Sequence, residues 1–75
     1  METIWESTVD GGMFKCEVKR TGPHTGVLTV ENVILKKTLL EQTVSLSYGA
    51  AFGPDIDDVG HWQQLSIDVI DGVQP

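Results

Sequence analysis

The sequence predicts an α+β domain: a four-stranded antiparallel β-meander with one C-terminal α-helix packed on one face. Three observations predict it. Apolar and polar residues alternate, between turn-rich breaks, through residues 3 to 47. Beyond Ser47 the apolar residues recur at helical spacing instead. A length of 75 residues suits a single domain with one core, and no repeat, low-complexity segment or second domain is visible. Strands are expected over about 3–9, 13–20, 27–34 and 38–47, and the helix over about 54–71.

The first two strands read as a β-hairpin. TIWESTV and MFKCEVK flank Asp10-Gly11-Gly12, and Asp-Gly or Gly-Gly supplies the positive φ angles of a type I′ turn. Either two-residue loop puts Trp5, Ser7 and Val9 on one face with Phe14, Cys16 and Val18. Ile4, Glu6, Thr8, Met13, Lys15, Glu17 and Lys19 then share the other, so one side is mostly apolar. A three-residue loop sets Trp5 against the charged side and is rejected.

Thr21 to Gly26, with Pro23 and two glycines, is expected to form a six-residue connection. The third strand points Leu28 and Val30 inward and Val27, Thr29 and Glu31 outward. In the fourth, Leu40, Val44 and Leu46 face the core, with Glu41, Thr43 and Ser45 outside. No glycine marks the turn between these strands, and the bend is placed near Leu35-Lys36-Lys37.

At about 100° per residue, Ile56, Val59, Trp62, Leu65, Ile67, Val69 and Ile70 form one broad apolar face. Asp57, Gly60, His61, Gln64, Asp68 and Asp71 fill the opposing arc. Residues 65 to 70 nearly alternate, as a strand would, but only the helical period also accounts for Ile56, Val59 and Trp62. Pro54 at the first helical position, acids in the first turn and Gly72 after the last agree with a helix.

Composition excludes several functions. No apolar run approaches the roughly 18 residues of a membrane helix. METIWESTVD lacks the basic and apolar regions of a signal peptide. One cysteine permits neither an internal disulfide nor a multi-cysteine zinc site, and it fits a reducing cytoplasm. With 5 basic and 11 acidic residues the net charge is −6, which argues against binding nucleic-acid backbones. That charge is compatible with a basic partner, and it also favours solubility.

Asp55, Asp57 and Asp58 begin like a calcium loop, with glycine at the sixth position. The pattern fails at Val59, in the fifth, and at Ser66, where a bidentate Glu is required. Carboxylates at a helix N-terminus, offsetting its dipole, explain them better. His24 lies in a Gly/Pro loop and His61 on the helix's polar arc, with no second His or Cys one turn away. Cys16 alternates with Phe14 and Val18, so a buried apolar role is expected over a nucleophilic one. The serines lack a nucleophile-elbow context, and no phosphate-binding glycine motif occurs. No catalytic residue, metal ligand or cofactor is therefore assigned.

Tyr48, Phe52 and Trp62 are read first as a core plug beneath the helix. The alternative is an aromatic surface that receives a partner. The candidate interaction surface comprises Tyr48, Gly49 and Phe52 with Asp57, His61 and Asp68 on the helix. Tyr48-Gly49-Ala50-x-Phe52-Gly53-Pro54-Asp55, followed by Asp58-Val59 and Trp62-Gln63, resembles a block in small uncharacterised proteins of actinobacteria and their tailed phages. That resemblance implies a bacterial or phage accessory protein acting in the bacterial cytoplasm, and brings no catalytic residues.

The expectation is a small acidic, non-enzymatic accessory protein that binds a protein partner through strand edges or the aromatic block, as a monomer or homodimer. No membrane or direct nucleic-acid backbone binding is expected. An acidic nucleic-acid mimic that inhibits a basic host protein is the alternative, and a small hydrolase or metal enzyme is a further one.

Overall fold

The computed structural model describes residues 2–46 and 56–73. Expectations for Tyr48, Gly49, Phe52, Pro54 and Asp55 lie outside the described residues. Within them, β1 (Thr3–Val9), β2 (Phe14–Gly22), β3 (Thr25–Asn32) and β4 (Lys37–Ser45) form an antiparallel sheet in chain order. Helix α1 (Ile56–Val73) packs across one face. This is the α+β meander and C-terminal helix that the sequence predicts.

The β1–β2 register follows from its turn. Val9 pairs with Phe14, Ser7 with Cys16 and Trp5 with Val18. Asp10, Gly11 and Gly12 all have positive φ, 55°, 68° and 96°, and the Val9–Phe14 pair makes Gly11-Gly12 the two-residue loop rather than Asp10-Gly11. The Met13 amide donates to the Asp10 carbonyl at 3.3 Å, placing Met13 in the turn rather than in β2.

Phe14, Cys16, Val18, Leu28 and Val30 alternate along β2 and β3 and are almost wholly buried. Their neighbours Lys15, Glu17 and Lys19 stand on the uncovered face. There Lys15 approaches Glu6 at 3.8 Å and Glu17 at 3.9 Å, and Lys19 approaches Glu17 at 3.6 Å. Such part-exposed pairs contribute at most about 1 kcal/mol each.

Both edge strands depart from simple alternation. Thr3 pairs with Lys19 and Trp5 with Val18, so Ile4 is an extra residue in β1. Glu31 pairs with Thr38 and Val30 with Leu40, so Leu39 is an extra residue in β4. A bulge turns consecutive side chains toward one face. Ile4, expected on the polar side, accordingly packs against the core, and Leu39 joins Leu40 there.

The connection after β2 is tighter than the expected six residues. Both strands extend to a Gly22–Thr25 pair, leaving Pro23-His24 as the turn. Continuing the ladder gives backbone groups partners that a longer loop would leave to water. The His24 carbonyl also accepts the Leu46 amide at 2.9 Å, tying this turn to the end of β4.

Strand β3 stops at Asn32, not at residue 34. The turn spans residues 33–36, slightly earlier than the bend placed at Leu35-Lys36-Lys37. Its chemistry comes from Asn32, whose side-chain oxygen accepts the Leu35 amide at 3.0 Å. Lys36 takes the positive φ, 53°, that a glycine would otherwise supply.

Helix α1 buries Trp62 and Ile70, with Val59, Leu65 and Val69 partly covered. The predicted polar arc, Asp57, Gly60, His61, Gln64, Asp68 and Asp71, is exposed throughout. Gly72 does not end the helix, which runs on to Val73. One glycine in a last turn costs only about 1 kcal/mol against alanine. Trp62 packs with Val18, Leu28, Val44 and Leu46, while Ile70 packs with Phe14, Cys16 and Val30. The helix thus advances from the Leu46 end of the sheet to the Phe14 end. Burying each such large apolar side chain is worth about 1.5–3 kcal/mol.

Candidate interaction surfaces

The helix and β1 bound a groove. Sheet order leaves β1 at an edge among the described residues, and α1 crosses the sheet beside it. Between them opens a cleft of about 340 Å³. Its apolar lining is Trp5, Val9 and Ile67, with Cys16 at the floor, and its polar lining includes Ser7, Asp10, Gln63 and Ser66. Ser66 is buried and donates its hydroxyl to the Trp62 carbonyl at 2.8 Å. The groove thus offers aliphatic and aromatic walls, with Asp10 and Gln63 for polar contact.

Neither histidine lines that groove. His24 is exposed at the β2–β3 turn, and His61 is exposed on the helix's solvent face. Cys16 is fully buried, as its alternation with Phe14 and Val18 predicts. Among the described residues, no group of three or more His, Cys, Asp or Glu side chains is placed to hold a metal ion.

Of the expected surface, Asp57, His61 and Asp68 fall on one exposed stripe of α1. Gln64 donates to Asp68 across one helical turn at 2.9 Å, and Asp71 extends the stripe. No Lys or Arg occurs in α1. Tyr48, Gly49 and Phe52 lie outside the described residues. Asp58, one of the first-turn acids, is buried rather than exposed.

A second surface was not anticipated. Val33, Ile34 and Leu35, at the β3–β4 turn, are 43%, 69% and 70% exposed. Met13 is also exposed, and its carbonyl accepts the Val33 amide at 2.9 Å, so two neighbouring turns form one apolar tip. Lys36 and Lys37 follow directly. Read linearly, Val-Ile-Leu looks like the end of a strand; Asn32, a turn former, was the available sign that the chain reverses before it.

No known protein family, curated protein or solved structure matches the chain. Among the described residues, no helix is long and apolar enough to cross a membrane.

Proposed function

We propose that this chain is a small non-enzymatic accessory module that acts by protein–protein contact, with its apolar tip at the centre of the contact. The observation that carries this reading is the exposure of three consecutive aliphatic side chains, Val33 to Leu35, beside Met13. The turn itself needs none of them, because Asn32 caps it and Lys36 supplies the positive φ. Exposed apolar clusters rimmed by polar residues are a mark of protein contacts. A role as a phage or bacterial protein in the bacterial cytoplasm rests on the sequence block at residues 48–63.

The test is capture, from a bacterial lysate that also contains untagged wild-type chain, by immobilised wild-type chain and by an Ile34→Asp/Leu35→Asp variant. A stoichiometric partner held by the wild type and lost with the variant is expected. Equal capture by both, with circular dichroism unchanged, would remove the tip from the contact.

The exposed stripe of Asp57, Asp68 and Asp71, on a helix without basic residues, favours a second reading as an acidic mimic of nucleic acid. The uncovered sheet face dilutes that charge pattern, since Lys15 and Lys19 stand there among Glu6 and Glu17. Binding to a basic protein that weakens steeply with salt would support this reading.

A further inference from the structure

We infer that the partner of the apolar tip is a second copy of this chain: in a closed dimer, each copy's Val33–Lys37 tip enters the other's β1–α1 groove. The inference rests on the tip-binding reading and deepens it by naming the occupant.

Position comes first. Val9 and Asp10 line the groove, and Val9 pairs with Phe14, which in turn pairs with Asn32 at the base of the tip. Tip and groove therefore lie at one end of the sheet, on opposite sides of β2. With strands about 4.8 Å apart, they are separated by roughly 10–14 Å. A twofold axis between them would engage both pairs at once, which closes the assembly instead of extending it into a fibre.

Charge is complementary. Lys36 and Lys37 make no ion pair among the described residues. The groove includes Asp10, and Asp71 lies one turn beyond Ile67, at the edge of the exposed stripe nearer the groove. Ile70 packs beside Phe14, so the helix's C-terminal end, with its negative dipole and no basic residue in the last turn, is at the tip end. Each copy thus presents two lysines on an apolar projection and an anionic rim around an apolar recess.

Size agrees as well. A cavity of about 150 Å³ holds one benzene-sized group. The groove's 340 Å³ is about twice that, enough for the Ile34 and Leu35 side chains.

The experiment is sedimentation equilibrium from micromolar to millimolar concentration at low and high salt. Wild-type chain should dissociate reversibly from dimer to monomer, and more readily at high salt. K36E/K37E and Gln63→Lys alter exposed positions, and each should weaken the dimer about tenfold or more. Combined, the introduced lysine at position 63 faces the introduced glutamates, although Asp10 and Asp71 remain, and the combination should bind more tightly than K36E/K37E alone. Monomer at every concentration, or a dimer indifferent to all three variants, would overturn the inference. A monomer that still captures another protein through Ile34 and Leu35 would overturn the dimer and leave the tip-binding reading standing. A monomer whose capture ignores those residues would overturn both.

Discussion

The indole rings of Trp5 and Trp62 lie 5.8 Å apart, tilted by 51°, and join edge strand β1 to the middle of α1. Trp62 is fully buried, whereas Trp5 is half-buried and forms one wall of the groove. One aromatic contact thereby holds the helix to the sheet and shapes the recess beside it.

Trp62→Ala should remove about 3–5 kcal/mol of stability, comparable with the whole stability of so small a domain. Trp62→Phe should cost much less. The indole Nε1 is buried without a hydrogen-bond partner among the described residues, so losing it relieves a desolvated donor. Urea denaturation followed by circular dichroism checks the order; a phenylalanine variant as unstable as alanine would contradict it.

Gly26→Ala and Gly60→Ala should have opposite signs. A Cβ on Gly26 would meet the Lys19 carbonyl oxygen at 3.0 Å and Val18 Cγ1 at 3.1 Å, both in the packed sheet. Overpacking there should cost about 1–3 kcal/mol. Gly60 is an exposed helical position with nothing within 4 Å of an added Cβ, and alanine should gain about 0.5–1 kcal/mol. Melting temperatures of the two variants measure this directly.

At the β3–β4 turn, Asn32→Ala should cost about 1 kcal/mol by orphaning the Leu35 amide. Lys36→Gly should gain about 0.5–1 kcal/mol, because the positive φ of 53° strains any residue with a Cβ. A destabilised Lys36→Gly variant in urea titration would refute this account of the turn.

Cys16 should resist thiol reagents in the native state and react at the rate of a free thiol in urea, since it exposes no surface. Cys16→Ser should cost about 1–3 kcal/mol through its buried hydroxyl, and Cys16→Ala less. Rapid native labelling would mean that the groove opens to its floor.

Most of the fold is legible along the chain because its periods are local. Two glycines with the right flanks set the β1–β2 register, and the inward faces of β2 and β3 follow from alternation. The helical arc from Asp57 to Asp71 likewise follows from spacing. Legibility stops where the cause is a neighbour distant in sequence. Ile4 and Leu39 break alternation because edge strands, paired on one side only, can bulge to cover the core's corners. The exposure of Val33 to Leu35 also defies linear reading, since apolar residues after a strand look like more strand.

The amino-acid pattern was sufficient for the class of fold, the two faces of the sheet, the buried Cys16 and the solvent side of the helix. Each depends on residues within a few positions of one another. The groove between β1 and α1 depends instead on where a helix at residues 56–73 comes to lie beside a strand at residues 3–9. The tip, likewise, exists because the Asn32 side chain closes a turn beside Met13 from another hairpin. Both are products of packing between distant segments, which periodicity within a single segment does not encode.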